Sequence, residues 1–136
     1  MPDPQLCTEA EITTLVQTFY ARVRQDARLA PIFNAHVHDW PAHLHKLTDF
    51  WSSALRGTRR FRGTPMPVHA ALPGLSAELF QHWLRLFDAT LAELPNAALR
   101  ARASELAHRI ADSLWYGYQL AHADTPVAER APTATA

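Results

Sequence analysis

Apolar residues recur at three- and four-residue spacing through Ile12, Leu15, Val16, Phe19 and Val23, which predicts an amphipathic helix with Tyr20 at the edge of its inward arc. Thr14, Gln17, Arg22 and Arg24 fall outside that arc. Thr8-Glu9-Ala10-Glu11 fits a capping box, in which hydroxyl and carboxylate each satisfy a free backbone donor, so the helix is expected to start there. Asp26 to Phe33 reads as a short turn or helix, with Pro31 admissible only in a first turn. A second long helix should open near Asp39, carry Pro41 in its first turn and run to Leu55 before Gly57. Ser76 is the expected cap of a third, from Ala77 to about Leu94 before Pro95. Asn96 should cap a fourth reaching about Ala121, with Leu99, Ala103, Leu106, Ile110 and Leu114 on one face. Residues 56–75 hold three of the four glycines together with Pro65, Pro67 and Pro73, and read mostly as loop. No useful period-2 alternation and no internal repeat appears.

Composition narrows this all-α picture. The 136 residues allow one domain, expected over residues 1–122, with a tail at 123–136 poor in large side chains and expected to be disordered. A hydrophobic fraction of 48% with only 19% charged residues supports a packed core rather than a solvating chain. Thirteen basic residues balance thirteen acidic ones, which argues against nucleic acid or an anionic membrane as the main partner. One cysteine, Cys7, excludes an internal disulfide and any site built of cysteines. No apolar run approaches a membrane span and the first residues do not read as a signal peptide, so a cytoplasmic location is expected.

Eight histidines and thirteen aromatic residues invite a search for chemistry. On the second long helix, His43, Leu44, Leu47, Phe50, Trp51, Ala54 and Leu55 share an arc of about 140°. His45, Lys46, Thr48, Asp49, Ser52 and Ser53 lie outside it. His43 is thus the one ionisable group on an apolar face, either hydrogen-bonded to a neighbouring carbonyl or aimed into a ligand cavity. His43 and His45, two apart on a helix, point to opposite sides and cannot share a metal, while His36 and His38 read as solvated or adventitious ligands. Pro67 and Pro73 fence a segment too short to be stable alone, so either packing of Met66, Val68 and Leu72 or a bond from His69 to a metal fixes it. Phe80, Trp83, Leu84 and Phe87 follow core spacing, yet a buried Trp83 indole or Tyr20 hydroxyl needs a polar partner. Arg56, Arg59, Arg60 and Arg62 surround Phe61 either as a solvated loop or as a site for phosphate or carboxylate groups.

Several segments in this order and spacing carry a resemblance: residues 19–26 (FYARVRQD), 29–34 (LAPIFN), 40–43 (WPAH), Phe50-Trp51, 63–69 (GTPMPVH) and 80–87 (FQHWLRLF). Over about residues 12–118 the chain resembles the truncated haemoglobins, most closely their third group. No Gly-Gly pair flanks the second long helix, unlike the usual pattern of the first two groups. The resemblance implies a two-over-two helical sandwich enclosing haem b. By that analogy His69 is the iron ligand, Phe33 wedges the porphyrin, and Tyr20, His43 and Trp83 form the distal side. Leu47, Phe50, Trp51, Met66 and also Trp83 are then cofactor contacts, with Arg59, Arg62 and Lys46 as partners for the propionates. The chemistry agrees, because neutral imidazole suits iron and hydroxyl or N–H donors stabilise negative charge on a bound diatomic ligand.

Three functions follow. The first is binding of dioxygen, nitric oxide or another small diatomic, with oxygen transport as one use. The second is an enzyme on the same fold, a nitric oxide dioxygenase or a peroxidase-like catalyst supplied by a separate reductase. The third is a helical adaptor or nucleic-acid module using the arginine-rich loop.

Overall fold

The computed structural model describes residues 2–61 and 75–122. The Thr8 hydroxyl accepts from the Glu11 backbone N–H at 3.1 Å while the Glu11 carboxylate accepts from Thr8 N–H at 2.9 Å, and α1 (Glu9–Val23) starts where its capping box predicts. Ile12, Leu15, Val16, Phe19, Tyr20 and Val23 are all buried. Tyr20, expected at the edge, belongs to the core at 4% exposure.

A turn leads into α2 (Ala30–His36), a seven-residue helix with proline in its first turn and no side-chain cap. In α3 (Trp40–Arg56), the Asp39 carboxylate accepts from Ala42 N–H at 3.1 Å, and the helix ends at Gly57 in the left-handed region, φ 75°. Glycine is favoured there because a side chain would be strained at that φ. The Ser76 and Asn96 side chains cap α4 (Ala77–Leu91) and α5 (Ala97–Ala121) as expected. Helix α4 stops three residues earlier than the spacing suggested. Glu93 and Leu94 instead donate to Thr90 and Leu91, tightening the chain ahead of Pro95, which disfavours helical backbone at Leu94.

Among the described residues there are five helices and no strand. The principal contacts are α1 on α3, α4 on α5, and α1 on α4, so two helix pairs stack across α1 and α4, as expected for a two-over-two sandwich. On α5 the inward row is Leu99, Ala103, Ala107, Ala111, Leu114 and Tyr118, while Leu106 and Ile110 are only half-buried. Small alanines at that seam let α4 and α5 approach closely. No helix of the described residues is long and apolar enough to cross a membrane.

Candidate functional site

Aromatic side chains from three helices, α1, α2 and α3, meet around Tyr20. Its ring lies 4.8 Å from Phe19, 6.0 Å from Phe33, 6.4 Å from Trp40 and 6.4 Å from His43, with the imidazole perpendicular to it. Phe33 comes from α2, Trp40 and His43 from the first turn of α3. Burial alone pushes the Tyr20 phenol well above its ordinary value, so the hydroxyl stays protonated and able to donate. Proline at the start of α3 orients this corner, where the Trp40 indole N–H donates to Asn34 Oδ1 at 3.2 Å and the Arg24 guanidinium covers the Trp40 ring at 4.6 Å.

Phe19 links this group to a second. Its ring meets Trp83 edge-on at 5.2 Å, Trp83 stacks on Phe87 at 5.3 Å, and Phe87 stacks on Trp51 at 5.2 Å. Phe50 extends the row to Trp51 and Phe61. Tyr20, His43, Phe33, Phe50, Trp51 and Trp83 therefore belong to one continuous aromatic array. Trp51 is buried, whereas Phe33, Trp40, Leu44, Leu47, Phe50 and Trp83 remain half-exposed against the core. Half-covered large apolar groups beside a buried phenol form a wall suited to a flat apolar cofactor. Near the end of α5 the buried Tyr118 hydroxyl has no hydrogen-bond partner among the described residues, a polar atom that an incoming group would satisfy.

Trp40 belongs to this group although the apolar periodicity of the chain does not place it there. It stands at the polar start of a helix, off the periodic apolar face, and only its place beside Pro41 in the resemblance marked it. Ser52, expected outside the buried arc, is fully buried because its hydroxyl donates to Glu9 Oε2 at 2.8 Å and pairs with Thr58 Oγ1 at 2.9 Å.

The basic loop divides. Arg56 and Arg60 close on the Glu9 carboxylate, and Arg60 also reaches Asp49 at 3.4 Å. An internal carboxylate therefore takes up two of the four arginines. Arg59 is exposed with φ 60°, and Lys46 is exposed on α3. Arg62, Met66 and His69 lie outside the described residues. His36 and His38 are exposed, and His45 faces Asp49 at 3.4 Å. Among the described residues no three His, Cys, Asp or Glu side chains converge as a metal site.

Comparison with known proteins agrees with this architecture. The model of the family described as bacterial-like globin matches residues 5–115. The chain is 34% identical over 119 residues to the group 3 truncated hemoglobin ctb of Campylobacter jejuni, covering 80% of this chain and 93% of that protein. The crystal structure of the group III truncated hemoglobin from Campylobacter jejuni superposes with a TM-score of 0.77 at 30% identity, covering 84% of this chain and 93% of the other. A match over most of the chain, together with the stacked helix pairs, makes this protein a member of the bacterial-like globin family, of the group III truncated haemoglobin type.

Proposed function

We propose that this chain binds haem b and uses it to hold dioxygen or another small diatomic such as nitric oxide, with His69 as the protein ligand to iron. Globin membership supports a haem-binding, ligand-binding role. The observation that carries the finer reading is the buried Tyr20 phenol ringed by Phe19, Phe33, Trp40 and His43. When bound, the haem supplies the iron at which the diatomic binds.

The chain's own residues do the rest. Tyr20 would donate its hydroxyl in a hydrogen bond to that ligand, with His43 and Trp83 as the further polar groups of that side. Phe33 would wedge the macrocycle, and Leu47, Phe50, Trp51 and Met66 would supply apolar contacts to it. Arg59, Arg62 and Lys46 would pair with the propionates, and Arg59 is not among the arginines that the Glu9 ion pairs engage, Arg56 and Arg60. Electrons for any turnover come from a separate reductase.

Absorption spectra of the purified protein in ferric, ferrous and carbonmonoxy states test this reading. A Soret band that is lost in His69→Ala is expected. A chain that takes up no haem would overturn the function, and unchanged spectra in the variant would overturn the role of His69.

A further inference from the structure

We propose that His82 and Asp26 form a positioning pair that sets the distance between Phe33 on α2 and Trp83 on α4, and so holds the haem site closed at that side. The inference rests on the haem reading above.

Asp26 sits in the turn between α1 and α2, and its two carboxylate oxygens do different work. Oδ1 accepts from the backbone N–H groups of Arg28 and Leu29, both at 2.9 Å, and builds the corner from which α2 starts. Oδ2 accepts from the His82 ring at 2.7 Å. Both side chains are mostly covered, at 16% and 23% exposure. Burial would raise the Asp26 carboxyl, but the His82 and backbone hydrogen bonds outweigh it and hold the group below the usual range, as a charged acceptor.

Helix α2 needs such a tie. It has no side-chain cap, buries none of its residues completely and takes no part in the principal helix contacts. Its Phe33 nevertheless forms one wall of the aromatic group around Tyr20. His82 is the residue next to Trp83, so one carboxylate links the corner carrying Phe33 to the turn of α4 carrying Trp83. A further link between these segments, Arg28 to Glu78 at 3.7 Å, joins exposed side chains and is screened by water.

Two variants and two measurements test the pair. His82→Ala removes the donor, whereas His82→Gln keeps an N–H at similar reach. In His82→Ala, haem transfer to an excess of apomyoglobin should quicken about tenfold, the loss of one charge-assisted hydrogen bond. Amide exchange at Arg28 and Leu29 in the cofactor-free chain should quicken by a similar factor, with Ala103 and Ala107 in α5 unchanged. His82→Gln should restore both. Equal haem loss in the alanine and glutamine variants, unchanged haem loss in both, or faster exchange spread over all helices would overturn the proposal. A wild-type chain that takes up no haem would overturn the haem reading, and with it the closing role. The exchange measurement then decides the His82–Asp26 tie by itself.

Discussion

Phe19 stands edge-on to Phe87, with ring centroids 5.0 Å apart and planes at 89°. Phe19 makes the same edge contact with Tyr20 and Trp83, so one ring with no exposed surface supports both halves of the aromatic array. Phe19→Ala should therefore destabilise the chain by about 3–5 kcal/mol through lost burial and the cavity left behind. Phe19→Leu keeps most of the volume and should cost less than about 1.5 kcal/mol. Urea unfolding of the two variants beside the wild type measures the difference, and similar losses in both would show that shape at this position matters more than volume.

Tyr20→Phe separates stability from ligand holding. The phenol is buried at 4% exposure, and taking its hydroxyl out of water costs the fold free energy rather than adding to it. The cofactor-free variant should be at least as stable as the wild type. Dioxygen release, measured by stopped-flow mixing, should speed by about 10–100-fold because a hydrogen bond to a partly charged partner is lost. Unchanged release would remove Tyr20 from the ligand's surroundings.

The starts of the four long helices were legible because capping is local chemistry: Thr8, Asp39, Ser76 and Asn96 each hold a backbone N–H within three residues, whereas the uncapped α2 starts at Ala30, four residues after the Asp26 expected for it. Most of the aromatic array was legible too, since Tyr20, Phe50, Trp51 and Trp83 lie on or beside periodic apolar faces. What escaped depends on partners distant in sequence. Ser52 is buried because Glu9, 43 residues away, accepts its proton. The seam of α5 runs through Ala107 and Ala111 rather than Leu106 and Ile110, because close helix approach selects small side chains that hydrophobicity alone ranks low. Trp40 joins the site through contacts with Arg24, Phe33 and Tyr20, none of which follows from its own neighbours in sequence.

Asn96 should cost more to remove than an ordinary cap. Its Oδ1 accepts from Leu99 N–H at 3.1 Å, while its Nδ2 donates to Leu6 O at 3.0 Å and to Glu11 Oε2 at 3.1 Å. One amide therefore caps α5 and ties it to the segment before α1 and to that helix's capping box. Asn96→Ala should lower stability by about 2 kcal/mol, the upper end of the range for caps, and Asn96→Asp should recover only part of it because aspartate lacks the donor. Thermal or urea unfolding distinguishes the two variants.

Glu9 makes stability depend on pH in a direction the geometry fixes. Burial by itself would raise its carboxyl, but hydrogen bonds from Ser52, Arg56 and Arg60 together hold it below its ordinary 4.5. The unfolded chain thus takes up the proton first as the solution is acidified. This contribution is fully present above pH 4.5 and fades as pH falls through the lower folded value. Glu9 is 38% exposed, so water screens the pairs and the effect at neutral pH is modest. Glu9→Gln should be less stable than the wild type at pH 7, and the gap should close on acidification as the wild-type carboxyl becomes protonated. Urea midpoints of both proteins from pH 7 to pH 3 give the comparison; a gap that stays constant through the acid limb would show that packing of the side chain, and not its charge, fastens α1 to the end of α3.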